Sequence, residues 1–364
     1  MPTSLKGHSK FRLRNVLKRR KGKKMSENEN KKLLVAIDDG YAQTKLYGQA
    51  EDGSIVKFCM RSSVRSGRWG LGEISGSGSV GLYDTAEEGP FTVSEDVASE
   101  NTQFDGFHLS AMNRVLVNHA LVGGGYGGKD VEIITGLPVA DYFVNGLKDQ
   151  EKIDAKRVNL LKKVSVSGEG SVATIHDVRV GCQAVAAWVD YIYNDDLTER
   201  HEAEGAVAIV DIGGRTTDIA TVISQDEQPT KVDYARSGTA NIGVLDVYKA
   251  VESVISAEFK IKDTFATKVI DRAVREGVVR LWGKDNDVSK LVEPIIREHE
   301  AKIVREIERR IGSGAQMNAV VFVGGGGALF QKIAANFPNG HMIADPEFAN
   351  ARGLFKFARS LQLG

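Results

Sequence analysis

The chain has 364 residues, of which 42% are apolar, 26% charged and 7% aromatic, an ordinary composition for a globular protein of two or three domains. No uninterrupted apolar run approaches the roughly 20 residues that a membrane-spanning helix needs, which excludes an integral membrane protein. The two cysteines, Cys59 and Cys182, are too few for a disulfide framework or a cysteine-based metal site, and they predict a reducing, cytoplasmic location.

The net charge of zero conceals a basic leader. Residues 1–24 contain ten Lys or Arg and no acid, so the remaining 340 residues carry 38 basic and 48 acidic side chains, a net charge of −10. An acidic body is not expected to bind nucleic acid by itself. The leader lacks the apolar segment of a secretory signal. It is either a disordered basic arm or translated sequence upstream of a natural start at Met25, and we favour the second; residues 1–32 are assigned to a disordered leader.

Apolar runs and turn residues predict the elements of the first half. Residues 33–48 are typical of strand, tight polar turn and strand, and residues 53–60 of a third strand. The glycine-rich stretch 62–106 has no clear periodicity and is predicted to be a variable insertion or small subdomain with long loops. A helix, a buried strand, a helix, a β-ribbon and a helix are then predicted over 108–122, 131–138, 150–163, 164–180 and 183–194.

The second half begins with a continuous apolar strand, 205–210, followed by a polar turn and a second strand, 218–223. Helical patterns then dominate, and a further buried strand leads into four consecutive glycines, Gly324 to Gly327. The helices are predicted over 241–258, 264–282, 288–311, 328–336 and 347–361, and the strand over 318–323.

One short pattern occurs twice. Asp38-Asp39-Gly40 and Asp211-Ile212-Gly213 each follow an apolar strand and precede another, about half of the 340-residue body apart. This spacing predicts an α/β fold of two related domains that face each other, since solenoid repeats have much shorter periods. We assign the first domain to 33–204, the second to 205–344, and residues 345–364 to a C-terminal helix that returns to the first domain.

The paired turns predict a phosphate site. A turn rich in glycine and small polar residues presents backbone N–H groups to an anion. Two such turns can hold phosphates while Asp38 and Asp211 hold a hydrated Mg²⁺, which accepts few protein carboxylates. Lys45 can neutralise phosphate charge, and the glycine run at Gly324 permits close approach of a base or ribose. Each turn alone could be a capped β-turn, and the glycine run alone a flexible loop.

These motifs resemble those of a known superfamily. Ile37-Asp38-Asp39-Gly40 with Lys45, Val210 to Asp218, and Val323 to Gly327 are similar to the first phosphate, second phosphate and adenosine motifs of the actin–chaperone–sugar kinase superfamily. Within it, Leu137 to Tyr142 and the segment 164–194 look most like the ParM/StbA proteins, bacterial actin homologues that segregate plasmids. The resemblance covers about residues 33–361. It implies an actin-like fold around a nucleotide cleft, hydrolysis of ATP or GTP with Mg²⁺, and polymerisation into filaments.

The resemblance also assigns site residues. It implies a catalytic role for Gln183 and Asp211, and metal binding through water for Asp38 and Asp211. The nucleotide-binding residues that it implies are Asp38, Asp39, Gly40, Tyr41, Lys45, Gly213, Gly214, Arg215, Thr216, Thr217, Gly324, Gly325 and Gly326.

Gln183 departs from the family pattern. ParM proteins often carry Glu where this chain has Gln183, at the start of the helix after the ribbon. A glutamine cannot act as a strong base, but it can orient the attacking water; alternatively, it caps its own helix. Cys182 beside it is expected to be a small buried residue, because no triad partner lies near it in sequence. Residues 237–243 are predicted to open a helix on the cleft side, near the nucleotide.

The leading functional prediction is a filament that drives plasmid DNA segregation. Its expected partners are further copies of the chain and an adaptor protein bound to a centromere-like DNA site, with neither direct specific DNA contact nor membrane attachment. A phosphotransferase of the same superfamily would need a substrate motif that the sequence does not offer, and a chaperone-type ATPase would need a further domain. A non-polymerising nucleotide-dependent scaffold stays open, because polymer contacts carry no motif.

The leader is expected to be dispensable. A chain that starts at Met25 should hydrolyse ATP and assemble like the full chain, which turnover and sedimentation assays would measure. Loss of assembly in the shortened chain would instead identify the basic arm as a polymer or DNA contact.

Overall fold

The computed structural model describes residues 32–69, 81–168, 170–201, 204–225, 230–326 and 329–363. The basic leader, the glycine-rich segment 70–80 and the two residues after Gly326 lie outside these ranges. Among the helices of the described residues, none is long and apolar enough to cross a membrane.

A five-stranded sheet organises the first half, in the order β11-β7-β1-β2-β3. β1 is buried along its whole length, because it runs through the middle of this sheet. The strands are β1 (Leu33–Asp39), β2 (Gln43–Gln49), β3 (Ile55–Arg61), β4 (Val64–Ser66), β5 (Gly81–Thr85), β6 (Gly89–Val93), β7 (Asp130–Leu137), β8 (Phe143–Val144), β9 (Leu147–Lys148), β10 (Val164–Val166) and β11 (Thr174–Cys182). The helices are α1 (Ala111–Gly123), α2 (Val139–Tyr142), α3 (Gln150–Leu161) and α4 (Gln183–Ile192), with a 3-10 turn at Phe107–Leu109.

A second five-stranded sheet organises the second half, in the order β14-β13-β12-β17-β18. Its strands are β12 (Gly205–Ile212), β13 (Thr217–Ser224), β14 (Lys231–Ala240), β17 (Ala319–Val323) and β18 (Gly340–Met342); β15 (Val278–Leu281) and β16 (Lys284–Asp287) form a separate hairpin. The helices are α5 (Val244–Phe259), α6 (Thr267–Glu276), α7 (Ser289–Ile311), α8 (Gln331–Ala334) and α9 (Ala349–Leu363), with a 3-10 turn at Pro346–Phe348 before α9.

The two sheets repeat one arrangement. In each, a strand pairs antiparallel with the next strand through an Asp-x-Gly turn and parallel with a later strand on its other side: β1 with β2 and β7, and β12 with β13 and β17. The internal repeat in the sequence therefore corresponds to a repeated structural unit.

The C-terminal helix α9 packs on the first sheet, beside α4. Asp190 of α4 is fully buried and accepts hydrogen bonds from Arg352 Nε and Nη2, both at 2.7 Å, and from Lys356 Nζ at 2.8 Å. Three charge-assisted bonds to one carboxylate stabilise the pairing of the two helices. The apolar side chains around this contact come from β1, β2, β7, α4 and α9: Leu34, Ala36, Tyr47, Ile134, Ala186, Ala351, Leu354, Phe355 and Ala358.

The predicted ribbon at 164–180 is wrong. β10 pairs with β5, whereas β11 pairs parallel with β7, so the two strands belong to different sheets. In the part of 62–106 that the structure describes, β4, β5 and β6 form a four-stranded sheet with β10, which fits the predicted small subdomain better than an insertion of long loops. Its strands are only three to five residues long, and their apolar residues, such as Tyr83 and Phe91, are spaced too irregularly to show a period.

Two further boundaries differ from the predictions. The helix expected over 264–282 ends at Glu276, because Gly277 adopts a left-handed conformation (φ +68°) that closes the helix, and β15 follows. Residues 237–240 form the end of β14 rather than the start of a helix. The helix α5 begins at Val244, where Asp246 Oδ2 accepts from the Gly243 N–H at 2.9 Å.

Gly353 is expected not to tolerate a side chain. A Cβ at this position would overlap the backbone carbonyl of Ala186 in α4. In an exposed helix, Gly to Ala gains about 1 kcal/mol. Gly353→Ala should instead lower the free energy of unfolding by about 1–3 kcal/mol, because α9 must move away from α4. Urea unfolding would measure this, with the exposed Gln362→Ala on the same helix as the control; unchanged or higher stability of Gly353→Ala would contradict the close packing.

Candidate functional site

A cleft lies between the two Asp-x-Gly turns and the glycine loop after β17. It contains about 740 Å³ of free space, including its open mouth. The structure brings together in its lining most of the residues that the sequence predicted: Asp38, Gly40, Tyr41, Lys45, Gln183, Asp211, Gly213, Gly214, Thr216, Gly325 and Gly326.

The strand registers explain this convergence. Asp38 lies opposite Lys45 in the first hairpin, and Asp211 lies opposite Asp218 in the second. The two turns approach closely, since a Cβ on Gly214 would lie only 2.5 Å from the Cβ of Ala42. Both aspartates therefore face one narrow cleft.

The carboxylate of Asp38 contacts both the Lys45 ammonium and the Gln183 side-chain amide. Lys45 Nζ lies 3.3 Å from Asp38 Oδ2, and Gln183 Nε2 donates to Asp38 Oδ1 at 3.0 Å. Burial lowers the pKa of Lys45, but the charges of Asp38, Cys59 and Asp211 and the hydrogen bond to Asp38 together raise it overall, so Lys45 stays a cation. Gln183 is the first residue of α4, and Gly136 makes room for it, because a Cβ there would lie 2.5 Å from Gln183 Cγ.

Asp211 lies in a different electrostatic environment. Burial and the nearby charge of Asp38 raise its pKa to about 7, although Asn350 Nδ2 donates to Asp211 Oδ2 at 2.8 Å and opposes that shift. Two buried carboxylates that repel each other favour a cation between them.

The donor set fits a hydrated Mg²⁺. Within the described residues, no group of three or more His, Cys, Asp or Glu side chains could hold a metal ion directly. Asp38 and Asp211 nevertheless line the same cleft, and the buried Oδ1 of Asn350 beside them has no hydrogen-bond partner in the described part of the chain. Mg²⁺ commonly keeps several waters and takes only one or two carboxylates, so this set of groups suits it.

The glycine loop presents backbone rather than side chains to the cleft. A Cβ on Gly325 would lie 2.7 Å from Gln43 Oε1, and one on Gly326 would lie 2.6 Å from Ile212 Cγ2. Gly324 has a positive φ of +92°, and a Cβ there would overlap Asp211 Oδ1. A side chain at Gly324 or Gly326 would also meet the backbone oxygen of Ile212, so these two positions leave no room for larger residues.

Four predicted residues are not in the cleft lining. Gly324 lies behind it, against Asp211, and Thr217 Oγ1 donates to the Ile242 carbonyl at 2.8 Å. Arg215 lies in an adjacent cavity, where its Nη2 donates to Asp105 Oδ1 at 2.6 Å.

The fourth, Asp39, points to the opposite side of its strand from Asp38. It is fully buried, with Lys156 Nζ 2.8 Å from Oδ2 and Thr135 Oγ1 2.5 Å from Oδ1. Burial alone would raise the pKa of Asp39, but Lys156 and His108 hold it well below the usual range. Asp39 thus forms a buried ion pair between β1 and α3.

Cys182 precedes Gln183 and is buried. Burial raises the pKa of its thiol to about 12, so the thiolate that a nucleophile requires does not form at neutral pH.

Known protein families match the two halves of the chain separately. Residues 33–192 match the family described as plasmid segregation protein ParM, N-terminal, and residues 209–334 match the one described as archaeal actin homologue MreB-like, C-terminal. The chain therefore has an actin-like fold, with a first half similar to ParM and a second half similar to the archaeal actin homologue. The first match includes the whole strand that leads into its Asp-x-Gly turn, and the second includes the end of the corresponding strand, β12, and all of β17.

Individual relatives agree with this assignment. An archaeal actin homologue of Thermoplasma acidophilum is 27% identical over 340 residues, which cover 88% of this chain and 97% of the relative. A 15-stranded ParM filament from Clostridium botulinum has a TM-score of 0.71 at 21% identity, and an archaeal actin homologue in complex with ADP has one of 0.67 at 22% identity; each covers 90% of this chain and 99% of the other. The predicted actin-like α/β fold is confirmed, and the domain boundaries stay predictions.

The sequence analysis missed several polar residues of this actin-like cleft. Asp218 is the last residue of the second phosphate motif but was not assigned to the site, although its position opposite Asp211 could have been found from the hairpin register. Arg61, from β3, crosses to the second half, where its Nη2 lies 2.6 Å from Asp271 Oδ2 in α6. No motif marks the remaining polar lining residues, which include Gln43, His108, Arg275 and Asn350.

Proposed function

We propose that the protein binds ATP with Mg²⁺ in the cleft, hydrolyses it, and couples hydrolysis to assembly and disassembly of an actin-like filament. The main support is that Asp38 and Asp211 face one cleft, with Gln183 bonded to the first and Lys45 beside it. GTP is the alternative nucleotide, because the described lining gives no preference between the two bases.

The cleft residues have separable roles in this proposal. Lys45 and the backbone N–H groups of the two turns neutralise phosphate charge. Because Gln183 Nε2 donates to Asp38, its Oε1 is the atom that can accept a hydrogen bond from the attacking water. Mg²⁺, when bound, supplies charge that stabilises the phosphoryl oxygens, and Asp38 and Asp211 would hold its water shell.

The proposed biological role is plasmid segregation. The ParM match of residues 33–192 supports it, as does the similarity to a solved ParM filament. The net charge of −10 outside the leader supports an adaptor protein on a centromere-like DNA site rather than direct DNA contact.

Sedimentation with and without ATP and Mg²⁺ tests the filament. Pelleting only when both are present is the expected result. Turnover by a chain that stays soluble under all conditions would favour the phosphotransferase or soluble ATPase, and binding without turnover or pelleting would favour the scaffold.

A further inference from the structure

Asn350 is a buried polar residue of the cleft whose side-chain oxygen is unpaired within the described residues. It is the second residue of α9, is 4% exposed, and lines the cleft. Its Nδ2 donates to Asp211 Oδ2 at 2.8 Å, whereas its Oδ1 has no hydrogen-bond partner among the residues that the structure describes. A buried acceptor without a partner is uncommon and needs an explanation.

Helix capping does not explain this residue. An asparagine that caps a helix accepts a hydrogen bond from a backbone N–H of the first turn through its side-chain oxygen. Asn350 Oδ1 accepts none from the described residues, and its amide donates across to Asp211 of β12, in the second sheet. The side chain is therefore directed to the cleft rather than to its own helix.

The structure fixes Asn350 in place from two directions. Arg352 and Lys356, on the same helix, are bonded to Asp190 of α4, the helix that begins with Gln183. The 3-10 turn before α9 also accepts a hydrogen bond, from the Gly324 N–H to the Pro346 carbonyl at 2.9 Å. Asn350 thus lies on a rigid element that contacts both the glycine loop and the helix of Gln183.

We propose that Asn350 is a positioning residue at the metal end of the cleft: Nδ2 orients the Asp211 carboxylate, and Oδ1 accepts a hydrogen bond from a water of the Mg²⁺ shell. This inference rests on the proposed function, because it requires Mg²⁺ with the nucleotide. Groups that hold the ligands or waters of a metal typically change its affinity 10–100-fold when they are removed.

Binding of ADP at varied Mg²⁺ concentrations tests the proposal without turnover. In EDTA, Asn350→Ala should bind ADP within about threefold of the wild type, because Asn350 acts through the metal. Mg²⁺ should raise the affinity for ADP, and the Mg²⁺ concentration that gives half of this increase should be about 10–100-fold higher for Asn350→Ala than for the wild type. Asn336→Ala, at an exposed asparagine, is the matched control and should follow the wild type. Wild-type protein that fails to bind ADP would refute the proposed function, whereas an Asn350→Ala curve that overlays a normal wild-type curve would refute this inference alone.

Asn350→Asp gives a second test, which measures Tm in the presence of ADP. The new carboxylate adds to Asp38 and Asp211, so Tm should fall in EDTA, and Mg²⁺ should raise it more than it raises the wild-type Tm. A purely helical role predicts the opposite, since an acidic residue in the first turn of a helix is neutral or stabilising whether or not Mg²⁺ is present. An Mg²⁺-independent Tm for Asn350→Asp would overturn the proposal even if Asn350→Ala did not fold.

Discussion

Asp211→Ala is expected to abolish ATP turnover, with a loss of several hundred-fold or more. Asp211 would hold the water shell of Mg²⁺ against the phosphates, and electrostatic contributions of this kind are worth about 3–4 kcal/mol in the transition state. Asp38→Ala should cost at least as much, because it removes the other carboxylate and also the hydrogen-bond acceptor of Gln183. Steady-state phosphate release would measure both losses.

The mutual repulsion of Asp38 and Asp211 should lower the stability of the fold when no metal is bound. The charge of Asp38 opposes ionisation of Asp211 in the buried cleft. Asp211→Asn removes that repulsion and retains an oxygen that can accept from Asn350, so its Tm in EDTA should equal or exceed that of the wild type while turnover is lost. Asp263→Ala, at an exposed position, is the control for both measurements. Wild-type turnover in Asp38→Ala and Asp211→Ala would refute the nucleotide-cleft interpretation.

The parts of the fold that could be predicted are those with local signals. Each phosphate turn is a hairpin in which strand, turn and strand are consecutive, so the apolar run and the Asp-x-Gly turn suffice to find it. Because the second half of the chain repeats this hairpin, Asp38 and Asp211 are placed opposite each other. Asp39 shows where this reasoning was incomplete: adjacent residues of a strand point to opposite faces, so Asp38 and Asp39 could not both line the cleft.

The parts that could not be predicted depend on long-range contacts. Asn350 reaches Asp211 across 139 positions of the chain, and no sequence motif accompanies it. The strand β10 pairs with β5 rather than with its neighbour β11, because packing of apolar residues in the small sheet decides the pairing. Such partners are set by tertiary packing, which periodicity within one segment does not record.

Gln183→Ala is expected to separate nucleotide binding from hydrolysis. The amide contacts Asp38 and can orient the attacking water, an interaction made in the transition state and not needed to hold ATP. ATP affinity should therefore stay within a few-fold of the wild type, while turnover falls about 100-fold or more. Equilibrium binding and single-turnover hydrolysis would measure the two quantities separately. Gln150→Ala is the matched control, since Gln150 is also the first residue of a helix but is exposed, and its side chain donates to Asp154 of its own helix.

The filament supplies a further measurement for Gln183→Ala. If hydrolysis times disassembly, the variant should form polymer that persists after ATP is exhausted, and a plasmid that depends on the protein should be lost from dividing cells. A variant that loses affinity and turnover together would show that Gln183 only supports the position of Asp38. Normal turnover in Gln183→Ala would contradict the proposed role of Gln183 more strongly, because its amide donates to Asp38, beside Lys45, where the water should be oriented. The water would then have to be oriented from the opposite wall of the cleft, where Asp218 and Thr216 lie.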